Sequence, residues 1–201
     1  SSFKPIVYLT ALENGYTPIS KVLDAPFVVD DYSNKGVWRP TNYGNKFYGL
    51  STLRLGIEKS RNLMTVRLSD QIGLKKIADI SKKLGIYEDF PSLISSSLGS
   101  LESTLQKITA AYASIANGGY KIESNIIDVI YDNTGKVLFK GDNRECKDCI
   151  VDKIIKNNFS DIKNIEIPSI KNNSQRVFSE ESSYQMTSFL MGVIKRGTAK
   201  N

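Results

Sequence analysis

The chain contains no histidine. That absence excludes every Ser-His-Asp arrangement and every histidine metal site, so a serine nucleophile here must find a different base. Cysteine is scarce too: the two present form Cys146-Lys147-Asp148-Cys149. One CxxC without histidine or further cysteine cannot complete a four-ligand zinc site. The pair follows the polar stretch Gly141-Asp142-Asn143-Arg144 instead of the strand–helix junction a redox motif would occupy. A local structural disulfide is the preferred reading, with two unpaired thiols as the alternative. No run of eighteen apolar residues occurs, so no segment reads as a membrane-spanning helix. The opening Ser-Ser-Phe-Lys carries neither an initiating methionine nor a signal-peptide pattern, and an excised piece of a longer protein is expected.

What is present is ordinary in amount. With 201 residues, 40% hydrophobic and 24% charged, the chain can build one domain with a real core, or part of a larger one. The net charge of +6 raises the question of a nucleic-acid partner, but the 27 basic residues are spread along the chain and interleaved with 21 acids. Lys75-Lys76 and Lys82-Lys83 sit at the polar positions of an amphipathic pattern, which reads as a solvated helix face. No nucleic-acid partner is expected. The basic balance equally suits work near an anionic membrane or cell wall.

Hydrophobic spacing predicts helices over Phe3–Leu12, Pro18–Leu23, Ser51–Glu58, Leu63–Gln71, Leu74–Leu84 and Thr104–Ala116, with a last one capped by Ser179 and running through Lys195. Asn117-Gly118-Gly119 is a clear helix stop. Tyr120–Tyr131 and Lys136–Lys140 flank Asp132-Asn133-Thr134-Gly135 and read as a β-hairpin. Asp24–Leu50 is irregular, long for a structureless loop and therefore expected to be functional. Ser95–Gly99 reads as a small-residue loop. Residues 141–178 are polar, Asn- and Lys-rich, and read as an insertion or disordered. No internal repeat and no clear domain boundary is visible.

The chemistry-bearing residues are few. Ser1 and Lys4 stand three apart at the start of an apolar helix, on one face, within hydrogen-bond reach of each other. For Lys4 to accept the serine proton it must be neutral. From a reference pKa of about 10.4, neutrality at pH 7 costs roughly 4.6 kcal/mol, which burial or a second cation must supply. Spacing alone is weak, since Ser160-Asp161-Ile162-Lys163 shares it in a polar segment. Ser60-Arg61-Asn62, the one Ser-x-Asn in the chain, falls between two predicted helices. Its hydroxyl could relay a proton and its amide could hold a substrate carbonyl or the lysine; equally, Ser60 could be a helix N-cap.

In order along the chain, several segments resemble the penicillin-binding protein family in its class A, bifunctional form. Ser1-Ser2-Phe3-Lys4-Pro5-Ile6-Val7-Tyr8 is similar to its active-site helix, and Trp38-Arg39-Pro40-Thr41-Asn42-Tyr43 to the segment ahead of its second motif. Leu53-Arg54-Leu55-Gly56-Ile57-Glu58-Lys59-Ser60-Arg61-Asn62 is similar to the second-motif region itself. Ser97-Leu98-Gly99-Ser100 and the run from Ala111 to Gly119 follow, then Met191 to Ala199 resembles the helix before the third motif. The resemblance covers nearly the whole chain apart from roughly residues 141–178. It implies an α+β fold of the serine β-lactamase/DD-peptidase-like transpeptidase type, here a partial domain dominated by a helical lobe plus a β-hairpin.

By the same resemblance Ser1 would be the acylated nucleophile, attacking the D-Ala-D-Ala bond of a peptidoglycan stem peptide. Lys4 would take its proton, Ser60 would help pass that proton to the leaving D-alanine, and Asn62 would position substrate or lysine. β-Lactams would acylate the same serine, no cofactor is called for, and the domain would work in the periplasm of a bacterium, anchored to the inner membrane by its parent protein. The family's Lys-Thr-Gly or Lys-Ser-Gly motif is absent; Lys195-Arg196-Gly197-Thr198 imitates it with a bulky arginine in place of the small hydroxyl residue. The third-motif strand, a glycosyltransferase domain and the membrane anchor are therefore expected outside this chain. With those strands missing, the Ser1 helix is expected to expose apolar surface and so to form dimers or bury that face otherwise, Lys4 to stay incompletely neutralised, and this piece alone to be inactive. A serine β-lactamase or penicillin sensor and a non-enzymatic basic binding module are the alternatives.

Overall fold

The computed structural model describes residues 2–31, 36–142, 144–147, 169–171 and 173–200. They fall into two compact units, Ser1–Ile122 with Arg176–Asn201, and Glu123–Gln175. In the first unit the helices are α1 (Lys4–Glu13), α2 (Leu53–Glu58), α3 (Asn62–Ile72), α4 (Leu74–Lys83), α5 (Leu105–Ala116) and α6 (Glu180–Arg196). Its strands β1 (Lys21–Asp24) and β4 (Gly49–Thr52) pair antiparallel, as do β2 (Val29–Asp31) and β3 (Gly36–Trp38). No described helix is long and apolar enough to cross a membrane.

The first unit is organised around α1. Pro5 sits in the first turn, where its missing N–H leaves no bond unmade, and every residue from Lys4 to Leu12 is buried. A helix apolar on all sides belongs inside its domain. Here α2, α3, α4 and α6 all pack against it. Of the expected outcomes for its apolar surface, exposure does not occur along Lys4–Leu12: helices from within the chain cover it. Phe3 seals the entrance, 2% exposed, with the rings of Tyr87 and Phe90 at 5.7 and 5.6 Å. Further around the core, α4 buries Ile77 and Ile80 while Lys75, Lys76, Lys82 and Lys83 stand exposed, the solvated face its spacing predicts.

Three sequence expectations change. The helix predicted over Pro18–Leu23 is instead the strand β1, whose burial alternates strictly and whose Leu23 faces Leu50 of β4 on the exposed side. The period-2 pattern is only four residues long, and pairing with β4 overrides the local helical reading. The irregular span after Asp24 holds β2, β3 and a 3₁₀ turn over Tyr43–Asn45. Ser95–Gly99 likewise lies in a 3₁₀ turn, Ile94–Leu98, ended by Gly99 in the left-handed region.

In the second unit β5 (Val129–Tyr131) and β6 (Val137–Lys140) form the expected hairpin, with strands shorter than predicted. Asp132 Oδ1 turns the chain by accepting from the N–H groups of Thr134 and Lys136 and from the Thr134 hydroxyl. β7 (Glu145–Lys147) pairs antiparallel with β8 (Ser169–Lys171), so part of the unplaced span 141–178 carries a ladder. Cys149 lies outside the described residues, and the disulfide expectation with it.

The stop after α5 is the most constrained turn. Gly119 adopts φ +91°, and a Cβ there would collide with the backbone carbonyl of Phe178. Val177 N–H also donates to the Gly119 carbonyl at 2.8 Å, drawing the approach to α6 against α5. Gly119→Ala is expected to destabilise the protein by more than about 1 kcal/mol, from φ strain and overlap together. Urea denaturation checks this, and a variant as stable as the parent would contradict it.

Candidate active site

The turn between α2 and α3 is where the sequence departs from local preference. After α2 the N–H of Ser60 donates to Ile57 O and that of Arg61 to Gly56 O, both near 3 Å, while Ser60 adopts φ +52°. That is a Schellman turn with serine in the left-handed position usually given to glycine. Ser60 is therefore no helix N-cap; the residue before α3 is Arg61, whose side chain makes no cap hydrogen bond. A side chain in this conformation costs about 1–2 kcal/mol, and such strain concentrates at functional sites.

Into this turn projects the amine of Lys4, 4% exposed. Nζ donates to the Ser60 carbonyl at 2.7 Å, the Ser60 hydroxyl at 3.0 Å and Asn62 Oδ1 at 2.6 Å. Of those three oxygens, the two carbonyl oxygens can only accept, whereas Ser60 Oγ can also donate. A neutral lysine could thus keep two N–H bonds and receive one from Ser60. Burial pushes the Lys4 pKa from the ordinary lysine range down to about 8. At that value neutrality at pH 7 costs only about 1.4 kcal/mol. The ammonium is still the major form at neutral pH, in line with the expectation of incomplete neutralisation.

A second layer holds the turn. Asp24 on β1 is fully buried; its Oδ1 accepts from Asn42 Nδ2 at 2.6 Å and its Oδ2 lies 3.5 Å from Arg61. Asn42 Oδ1 accepts the N–H of Leu63 in the first turn of α3 at 3.2 Å, and Asn62 Nδ2 donates to the Thr41 carbonyl at 2.8 Å. Arg61 donates to Ser51 Oγ at 2.8 Å and lies over the Tyr48 ring at 4.0 Å. Beside these groups opens a cavity of about 590 Å³, lined by Lys4, Asn42, Tyr43, Tyr48, Lys59, Ser60, Arg61, Asn62 and Thr198.

Three of the four expected site residues, Lys4, Ser60 and Asn62, therefore meet within hydrogen-bond distance although Lys4 is far from the others in sequence. The fourth, Ser1, lies outside the described residues. Its neighbour is fixed: Tyr112 O–H donates to the Ser2 carbonyl at 2.8 Å. Asp24, Thr198 and the roles of Asn42 and Tyr112 escaped sequence reasoning. Asn42, Tyr112 and Thr198 sit inside segments that carry the family resemblance, which was the available signal; Asp24 gave none. Lys195-Arg196 closes α6 and is no third motif, although Thr198 just beyond reaches the cavity.

The fold is that of the serine β-lactamase/DD-peptidase-like transpeptidases: over its full length the chain matches the crystal structure of penicillin-binding protein 1A from Haemophilus influenzae with a TM-score of 0.73 at 25% identity, covering 30% of that chain. Penicillin-binding protein A from M. tuberculosis, solved as an imipenem acyl-enzyme, shares the fold at a TM-score of 0.65 and 17% identity, over 96% of this chain and 42% of that one. The family model for the penicillin binding protein transpeptidase domain matches residues 1–201, and the chain belongs to that family. Penicillin-binding protein 1A of Rickettsia felis is 46% identical over 195 residues, 97% of this chain and 24% of that protein. Its counterpart in Pseudomonas aeruginosa is 34% identical over 226 residues, 100% of this chain and 27% of that protein. The chain thus spans about a quarter of the length of these relatives.

The strained turn makes a test of its own. Ser60→Gly removes a hydroxyl but relieves the left-handed conformation, so the variant is expected to melt no lower than the parent. A fall of several degrees by calorimetry would mean that the lost bond between Lys4 Nζ and Ser60 Oγ outweighs the backbone strain.

Proposed function

We propose that this chain carries the acylating centre of a peptidoglycan DD-transpeptidase, and that β-lactams acylate it. The observation that supports this most is the buried Lys4 amine, held between the Ser60 hydroxyl and Asn62. In this reading Ser1 Oγ attacks the carbonyl of the penultimate D-alanine while its proton passes to neutral Lys4. The new C–O bond forms as the C–N bond breaks, and the leaving D-alanine nitrogen takes a proton from Lys4 by way of Ser60. An amine of a second stem peptide then attacks the ester, its proton follows the same path in reverse, and Ser1 is regenerated with a cross-link made. Asn62 holds the lysine on one side, and its amide is itself fixed by the Thr41 carbonyl.

The parent protein is proposed to add glycan polymerisation and a membrane anchor, placing this domain in the periplasm at the inner membrane. Residues 141–178 are proposed to be an insertion in the transpeptidase domain, and the piece by itself to be inactive without a third motif. Relatives named penicillin-binding protein 1A support the parent's character, and the family match supports the chemistry.

Intact mass of the full-length protein after penicillin treatment is the decisive measurement. A penicilloyl adduct is expected that disappears in Ser1→Ala; a folded full-length protein without one would refute the reading. The pH profile follows from Lys4. Its ammonium cannot accept a proton, so acylation should rise about tenfold per pH unit up to about pH 8 and then level off. A rate flat from pH 6 to 9 would remove Lys4 as the base. Stability moves in the same direction. The folded protein holds this proton less tightly than the unfolded chain, so the Lys4 contribution to stability improves above about pH 8.

A further inference from the structure

Among the residues that line the cavity, Lys59–Asn62 and Thr198 come from segments far apart in the chain, and a contact set outside the mechanism above joins them. Glu58 ends α2, two residues before Ser60, and is 3% exposed. Its carboxylate accepts two hydrogen bonds from Arg196, Nε to Oε2 at 3.0 Å and a terminal nitrogen to Oε1 at 2.6 Å. Arg54 stands on the other side, 3.7 Å from Oε1. The Glu58 backbone carbonyl accepts the N–H of Thr198 at 3.1 Å, and Lys59 Nζ donates to the Arg196 carbonyl at 2.9 Å.

Two glycines make this approach possible. A Cβ at Gly192 would press into the Glu58 carboxylate, and one at Gly197 into the Glu58 carbonyl oxygen. An exposed ion pair would contribute little. A carboxylate taken out of water must instead be matched, and two guanidinium groups match this one. What the pairing fixes is the distance between the Ser60–Asn62 turn and the end of α6.

We propose that Glu58 is a positioning residue for acylation: with Arg196 it locks Thr198, in the wall of the cavity, to the turn that presents Ser60 and Asn62 to Lys4. This inference rests on the transpeptidase reading. Its physical basis is that acyl transfer needs its groups placed within a fraction of an ångström, and a displacement of about 1 Å can cost up to about a hundredfold in rate. The arginine that spoils the resemblance of Lys195-Arg196-Gly197-Thr198 to a third motif is, on this view, the anchor of that wall.

The test uses the full-length protein and a fluorescent penicillin, with the kinetics resolved into noncovalent binding and the acylation step. Variants are Glu58→Gln, Arg196→Ala, the double variant, and Gly192→Ala, which disturbs the clamp without deleting it. Each is expected to label to full stoichiometry with the acylation step slowed about tenfold or more, binding changed less than about threefold, and the double variant no slower than the worse single one. Two results would overturn the inference: Glu58→Gln and Gly192→Ala acylating within about twofold of the parent, or a reduced labelled fraction reacting at the parent rate, as a purely structural role would give. A parent that never labels would overturn the transpeptidase reading and this inference together, whereas a labelled parent with unaffected variants overturns this inference alone.

Discussion

The structure depends on one buried amine finding its partners. A lysine taken out of water at 4% exposure loses hydration that only hydrogen-bond acceptors can replace, and the Lys4 amine finds all of them at Ser60 and Asn62. Everything nearby serves that meeting. α1 must be apolar on every side to run through the middle of its unit, and α2, α3, α4 and α6 must enclose it. α2 must end abruptly enough for its terminal turn to aim a carbonyl and a hydroxyl back at the amine.

The turn in its bent form is supported from beneath. Asp24 is the hub: buried on β1, it holds Asn42, which ties it to the first turn of α3, and it faces Arg61, which lies within the Ser-x-Asn motif. β1 is in turn fixed by β4, whose last residue, Thr52, caps α2 by accepting from Leu55 N–H. A short two-stranded ladder and a helix–turn–helix thus form one closed circuit of contacts. Removing any link exposes a buried polar group, and that cost is larger than the net value of a single hydrogen bond.

Much of this was legible in the residues, and the exceptions have physical causes. Helices with long apolar periods, α1 and α3 to α6, were read close to their observed limits, because burial on one or all faces repeats over several turns. β1 differs from the helix expected over Pro18–Leu23 because four residues carry too few alternations to mark a strand. What covers α1 is not legible, because sequence shows that a face is apolar but not which later helices reach it. In the site, Ser60 and Asn62 were found by their spacing and order, while Asp24 was invisible: an aspartate in a loop-rich stretch looks the same whether solvated or buried under an arginine. Glu58 escaped for a similar reason, since its partner lies more than a hundred residues away in the chain.

Ser60 combines two demands that pull against each other. Its backbone occupies the position where glycine is least strained, and its side chain is, among the described residues, the one partner of Lys4 able to switch from accepting to donating. A glycine there would suit the turn, and a lysine held only by the two carbonyl oxygens would be locked as an ammonium, because hydrogen bonds to the charged form favour it. Burial lowers the Lys4 pKa to about 8, and a hydroxyl that can reverse its hydrogen bond lets the neutral form exist without an unmet lone pair. On the proposed transpeptidase reading, the strain at Ser60 is the local cost of keeping Lys4 usable as a base in a chain that has no histidine to supply one.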